Sequence, residues 1–262
     1  MINNINIIRW LFSKCYLGKH IIITVVFVLF LDIAYILSKN ISSVGDAGFL
    51  ILQGYGQGYL SIIDLLFFII FNFIPLYFAS LALEKQNLTK CMYSVVRCRS
   101  KQTYINCFLL SFSMFLIVYF IIHGLAIVLY SIIFNCTLNF GEYSISLSQS
   151  LEIENNHFEK IILFSLILRF LELLCIQEVL SIIQSKTNKL SIAFICAICA
   201  YFSLIFIQFK YYPIGISSVI RWGIFGQSIN ISFFIGLIIL VIILVASHLY
   251  MCKKGIFELL ER

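Results

Sequence analysis

The sequence predicts an all-α membrane protein. The expected architecture has six transmembrane helices, an amino-terminal interfacial helix, and a short re-entrant or interfacial segment between spans five and six. Three observations carry that expectation. First, 61% of the 262 residues are hydrophobic and 11% are charged, and the mean hydropathy is +1.03. Soluble domains run at about 45–50% apolar and about 25% charged. A 30.2 kDa particle with so few charges could not cover this apolar surface against water. Second, the apolar residues gather into six runs of spanning length. Third, Lys and Arg fall mainly in alternate connections between those runs. The whole chain, 1–262, therefore reads as a single polytopic transmembrane domain.

The amino-terminal segment 3–17 precedes the first run. Ile5, Ile8, Leu11, Phe12 and Cys15 share one helical face, with Trp10, Tyr16 and basic residues at headgroup level. This is the pattern of a helix lying along a membrane surface. Span one is expected from Ile21 to Ser38; its apolar core is too long for a signal peptide and no small-x-small cleavage site follows. Span two runs from Leu60 to Leu83. Span three, Tyr104 to Phe134, exceeds what a crossing needs, so one end should project from the hydrocarbon. Spans four, five and six are expected at Ile161–Gln184, Leu190–Phe209 and Ile231–Cys252. No internal repeat is visible.

Thirteen of the 18 Lys and Arg residues lie at the chain ends, in the second-to-third connection or in the fourth-to-fifth connection. Only Lys39, Lys160, Lys210 and Arg221 lie opposite, with Arg169 inside span four. Both termini should therefore be cytoplasmic, in a multi-pass protein of an inner (cytoplasmic) membrane. The net charge of +6 is explained by this topology, and no nucleic-acid partner is expected. A composition rich in Ile, Asn, Phe and Lys suits a bacterial source. Of nine cysteines, only Cys136 falls near an external loop, so no intramolecular disulfide is expected.

Two segments are unusual. The second-to-third connection, 84–103, carries five basic residues, and Leu88, Cys91, Met92 and Val95 follow the i, i+3, i+4, i+7 spacing of a short amphipathic helix. The segment 210–230, containing Pro213, Gly215 and Arg221, is too apolar for a free loop and too short to cross twice. It should fold at or into the outer interface, where protein or water must cover any non-helical backbone.

In the order of these features the chain resembles the permease subunits of type-2 ATP-binding-cassette exporters, over nearly its whole length. Glu84 stands where that family has a Glu closing span two. The run Arg97-Cys98-Arg99-Ser100-Lys101 stands where a basic or Ser-containing stretch leads into span three. Where the family often has Gly-Thr after the Glu and a later Pro, this chain has Asn87-Leu88-Thr89 and no Pro. The resemblance implies that Glu84, Leu88, Met92, Val95, Arg97 and Arg99 form a coupling segment docking a cytoplasmic ATPase subunit. It further implies a second permease subunit, as homo- or heterodimer, and export of a hydrophobic or amphipathic substrate such as an antibiotic, peptide or lipid. The external re-entrant segment has its counterpart there too.

No catalytic residue is expected. The chain has no phosphate-binding Gly-x-x-x-x-Gly-Lys-Ser/Thr loop and no His-Glu-x-x-His pair. It should bind no cofactor or metal, with ATP and Mg on the partner subunit. His20, His123, His157 and His248 are dispersed, and Cys196 and Cys199 in an apolar helix read as packing residues. Intramembrane charge is costly and marks pairing or function. Asp32 lies ~9 Å and Arg169 ~12 Å from the outer ends of their spans at 1.5 Å per residue, so an Asp32–Arg169 ion pair is expected. Arg169 could equally pair with Glu172 at i, i+3. Asp64 should sit nearer the outer surface and Glu178 nearer the inner one. The aromatic cluster Phe67, Phe68, Phe71 and Phe73 suits helix contacts or the surrounding membrane lipid more than a substrate path. The rival expectation is a stand-alone six-span immunity or scaffold protein without an ATPase, which the same composition would serve.

Overall fold

In the computed structural model the described residues are 8–9, 12–13, 20–55, 61–82, 101–150, 158–187, 189–207, 212–224 and 229–254. Among them regular structure is helical throughout, apart from one isolated bridge between Ser43 and Thr137. Helix α1 spans His20–Ser38, α2 Val44–Leu52, α3 Ile62–Ala82 and α4 Lys101–Phe134. They are followed by α5 Glu142–Ser150, α6 Phe158–Thr187, α7 Leu190–Phe202, a 3-10 turn Ser203–Ile205, α8 Val219–Ile224 and α9 Ile229–Lys254. The expected interfacial helix 3–17 and the coupling segment with Glu84, Leu88, Met92, Val95, Arg97 and Arg99 fall largely or wholly outside the described residues.

Three helical stretches are long and apolar enough to cross a membrane, Ile62–Ser80, Gln102–Phe134 and Ile229–Lys253. Ile22–Ser38 and Ser191–Phe202 are shorter apolar helices. Helix α6 has 30 residues but carries Arg169, Glu172 and Glu178 in its middle. Large apolar side chains including Ile22, Phe30, Ile63, Ile132 and Ile242 point outward from the bundle. A soluble monomer does not carry so broad an exposed apolar surface; the protein is a helical membrane protein.

Helix α6 is the centre of the fold, packed by α9, α7, α3 and α2, while α1 lies along α4. The 34 residues of α4 make a rod of ~51 Å, well beyond the ~30 Å of hydrocarbon, in keeping with its expected overhang. Helix α7 departs from expectation, since its α-helix ends at Phe202 rather than running to Phe209. There Ser203 donates its hydroxyl to the Ala200 carbonyl (2.6 Å), and the backbone tightens into a 3-10 turn closed by Phe206 N–H on the Ser203 carbonyl.

Two further helices lie in connections the hydropathy pattern left as loops. Ser43 caps α2, its hydroxyl accepting the Asp46 N–H. Asp46 in turn caps α5. Its carboxylate accepts N–H groups from Gly141 (2.9 Å), Ser144 (3.1 Å) and Tyr143 (3.3 Å) and the Ser144 hydroxyl (2.5 Å). The cap satisfies the free donors of one helix from another. Helices α2, α5 and α8 thus gather at one end of the bundle, around the turns that end α1 and α4.

Helix α3 contains Pro75, which removes the N–H that would bond the Phe71 carbonyl four residues earlier. Tyr119 of α4 replaces that donor, its hydroxyl reaching the Phe71 carbonyl at 2.8 Å. This cross-helix bond lets a proline sit inside an apolar helix without leaving a buried carbonyl unpaired.

Candidate functional site

The charged residues inside the bundle fall into two adjoining groups. The first is a face of α6 made by Ser165, Arg169 and Glu172, spaced i, i+4, i+7, all of them buried. That face holds the turn 213–218. The Glu172 carboxylate accepts the Gly215 N–H at 2.6 Å on one oxygen and the Ser217 N–H at 3.1 Å on the other. Arg169 Nε donates to Ser217 Oγ at 3.3 Å. Ser165 Oγ lies 2.9 Å from the Leu52 carbonyl and 3.0 Å from that of Ser217.

The turn is built to meet these partners. Gly215 has φ +75° and Gly54, on the facing turn, φ +78°, a region costly for residues with a Cβ. A Cβ on Gly54 would also run into the Ser218 side chain, whose hydroxyl accepts the Tyr55 N–H at 3.1 Å. Arg221 Nη1 donates to the Ile214 carbonyl (2.9 Å) and Trp222 Nε1 to the Ile216 carbonyl (2.8 Å). The segment expected at 210–230 is therefore, over its described part 212–224, folded back into the protein with Ile216 to Trp222 buried. Pro213, next to Ile214, borders an apolar groove of about 260 Å³ between α6, α7 and α9.

The second group corrects an expectation. Asp32 does not pair with Arg169; its carboxylate meets His123 Nδ1 at 2.6 Å. Helix α1 packs on α4, which carries His123, and the Phe71 ring contacts both His123 and Arg169. His123 stacks on it with centroids 4.3 Å apart, and the Arg169 guanidinium lies 5.0 Å from its centroid and 5.0 Å from that of Phe68. Arg169 and Glu172 also form no ion pair within 4.0 Å among the described residues; both carboxylate oxygens are taken by the 213–218 turn, and Arg169 Nη2 is buried with no hydrogen-bond partner among them. A guanidinium over aromatic faces is attracted by the ring quadrupoles, more strongly where water is excluded.

The remaining expected residues lie apart. Asp64 is paired with Lys39 at 2.8 Å and accepts the Tyr35 hydroxyl at 2.8 Å. Gln53 Nε2 donates to that hydroxyl (3.2 Å) and Gln53 Oε1 accepts from Tyr143 (2.8 Å). Glu178 meets His248 Nδ1 at 3.0 Å, and His248 Nε2 lies 2.8 Å from Asn106 Oδ1. The Phe cluster serves helix contacts: Phe67 stacks on Tyr35 at 3.9 Å, and Phe73 lies 5.4 Å from Tyr201. Cys196 and Cys199 are exposed on α7, Cys196 at the edge of the groove between α6, α7 and α9, and no disulfide joins the described cysteines. No group of three or more His, Cys, Asp or Glu among the described residues could hold a metal.

The sequence reading missed Ser165, Ser217, Tyr119 and the pairing of His123. Ser165 had a signal, its i, i+4, i+7 register with two charged residues. The donor role of Tyr119 had none, since it depends on where Pro75 leaves a carbonyl on another helix. Compared with known proteins, the chain matches no family model, no curated protein and no solved structure.

Proposed function

We propose that this chain is the membrane-spanning permease subunit of an ATP-binding-cassette exporter. ATP and Mg would be bound and hydrolysed on a separate cytoplasmic subunit, and a second permease subunit would complete the transport unit. The observation that carries this reading is the segment 212–224, which folds back into the bundle and is gripped by Arg169 and Glu172 of α6. Permeases of the kind the sequence resembles carry external re-entrant helices in this position. The long α4, joined to α3 through the basic connection 84–103, supplies the lever that an ATPase pressing on Leu88 to Val95 would move. Pro75 gives α3 a point of weakened backbone bonding where such movement could bend it.

The lining of one groove supports the proposed substrate class. A lateral groove of about 610 Å³ is lined by Ile23, Phe27, Phe73, Tyr77, Phe78 and Phe194 with Thr24 and Ile74. Its size is that of a small-molecule site, and its lining suits a hydrophobic or amphipathic cargo. In this orientation both termini and the 84–103 segment are cytoplasmic and α2, α5 and α8 face outward.

The test is co-purification from native membranes with an ATPase assay, comparing the native chain with a Leu88→Asp, Val95→Asp double variant. The permease reading expects a nucleotide-hydrolysing subunit with the native chain and its loss from the variant. If no such subunit accompanies the native chain under mild detergent, the stand-alone immunity or scaffold reading takes its place.

A further inference from the structure

We propose that Asp32 and His123 form a buried proton-binding site, reached from the α2–α5–α8 end of the bundle. The inference is independent of the exporter reading, since it concerns this chain alone. The pair is almost wholly removed from solvent, with side-chain exposures of 0% for Asp32 and 4% for His123. Asp32 Oδ1 and His123 Nε2 are both buried and have no hydrogen-bond partner among the described residues. Buried polar atoms are nearly always bonded, so two unbonded atoms on one contacting pair call for an explanation. Cohesion does not provide it. His248 shows what a fully held histidine looks like here, with Glu178 on one ring nitrogen and Asn106 on the other. His123 keeps one nitrogen in reserve.

The surroundings suit a site that changes by one charge. Facing the pair are Phe71 of α3, Tyr119 of α4 and, across Phe71, Arg169 of α6. Asn72 turns its amide to the Phe68 carbonyl instead, and the Tyr119 hydroxyl is spent on the Phe71 carbonyl. Arg169 is thus the only charged group that faces the pair among the described residues. With the pair's proton present, Asp32 and His123 are together neutral. With it gone they carry one negative charge, with the Arg169 guanidinium across Phe71 and Glu172 one turn from that arginine on α6. Loading takes a proton from hydronium and leaves water; release reverses this, and no bond between heavy atoms changes.

A route is also present. Asp32, Tyr35 and Lys39 occupy i, i+3, i+7 on α1 and so share one face. Tyr35 hydrogen-bonds to Asp64, which is ion-paired with Lys39, whose side chain is 24% exposed. The bonded ladder therefore runs from the surface to Tyr35, a residue one helical turn from Asp32 along α1.

The experiment uses the full chain in lipid nanodiscs with ¹⁵N-labelled histidine, the His123 ring being assigned by its loss in His123→Gln. Between about pH 5 and pH 9, where histidine charge changes are read, the His123 ring should gain and lose its second N–H reversibly. In Asp32→Asn that change should be lost over the same range. A ring that keeps one protonation state throughout, or an Asp32→Asn protein that titrates as the native one does, overturns the proposal. Tyr35→Phe leaves the pair intact and keeps the question open to test if Asp32→Asn does not fold. It should slow exchange of the His123 ring proton with water at least tenfold, and unchanged exchange overturns the site as described.

Discussion

Replacing Glu172 by Gln is the sharpest probe of how the turn 213–218 is held. The native carboxylate accepts two backbone N–H groups, from Gly215 and Ser217, one on each oxygen. Glutamine keeps one acceptor and turns an NH₂ toward the other donor. One charge-assisted hydrogen bond is lost, about 1.5–3 kcal/mol, and one buried N–H is left unpaired, about 1–3 kcal/mol. Together these amount to about 2.5–6 kcal/mol, and at about 1.4 kcal/mol per decade the detached form of the turn should rise about 10²- to 10⁴-fold. Amide hydrogen exchange across residues 212–224 reads that population directly, because the exchanging groups are the ones Glu172 protects. Glu159→Gln, at the exposed start of the same helix, serves as the control and should leave the segment unchanged. Exchange in Glu172→Gln within about twofold of the native rate would show that the turn is held by something other than this carboxylate.

Two further outcomes follow from the same physics. Gly54→Ala places a Cβ at positive φ and against the Ser218 side chain, costing about 1–3 kcal/mol. Thermal unfolding in detergent should show the loss, and adding Ser218→Gly should recover part of it. Tyr119→Phe strips the donor from the carbonyl that Pro75 leaves open and should cost about 1–3 kcal/mol. In a Pro75→Ala background the backbone N–H returns, so the same change should cost less, with a coupling of about 1 kcal/mol in a double-mutant cycle. Simple additivity would show that Tyr119 does not replace that bond.

Much of this protein is legible in its sequence because the bilayer imposes a one-dimensional rule. A stretch that crosses hydrocarbon must be apolar, helical and long enough. Composition and run length therefore announce a helical membrane protein, and α1, α3, α4, α6 and α9 begin and end within a few residues of the expected limits. The same rule flagged 210–230 as backbone needing cover, and Asp32, Asp64, Arg169 and Glu172 as charges needing partners. All four of those residues are buried.

Partnership is where one-dimensional reasoning stopped. Depth along a helix can be counted, but the azimuth at which one helix meets another cannot. Asp32 and Arg169 were matched by depth, yet α1 leans on α4, so His123 reaches the carboxylate first and Phe71 stands beside Arg169. Glu172 sits one turn from Arg169 and still gives both oxygens to backbone forty-odd residues away. Helices α2 and α5 escaped hydropathy because they are short, and their shared cap at Asp46 exists only once residues 46 and 141–144 are folded together. The sequence by itself determined the solvent, the longest helices and which residues would be costly to bury. Only the tertiary structure decided who satisfies whom, because hydrogen bonds and charge pairs depend on distances of a few ångströms between segments far apart in the chain.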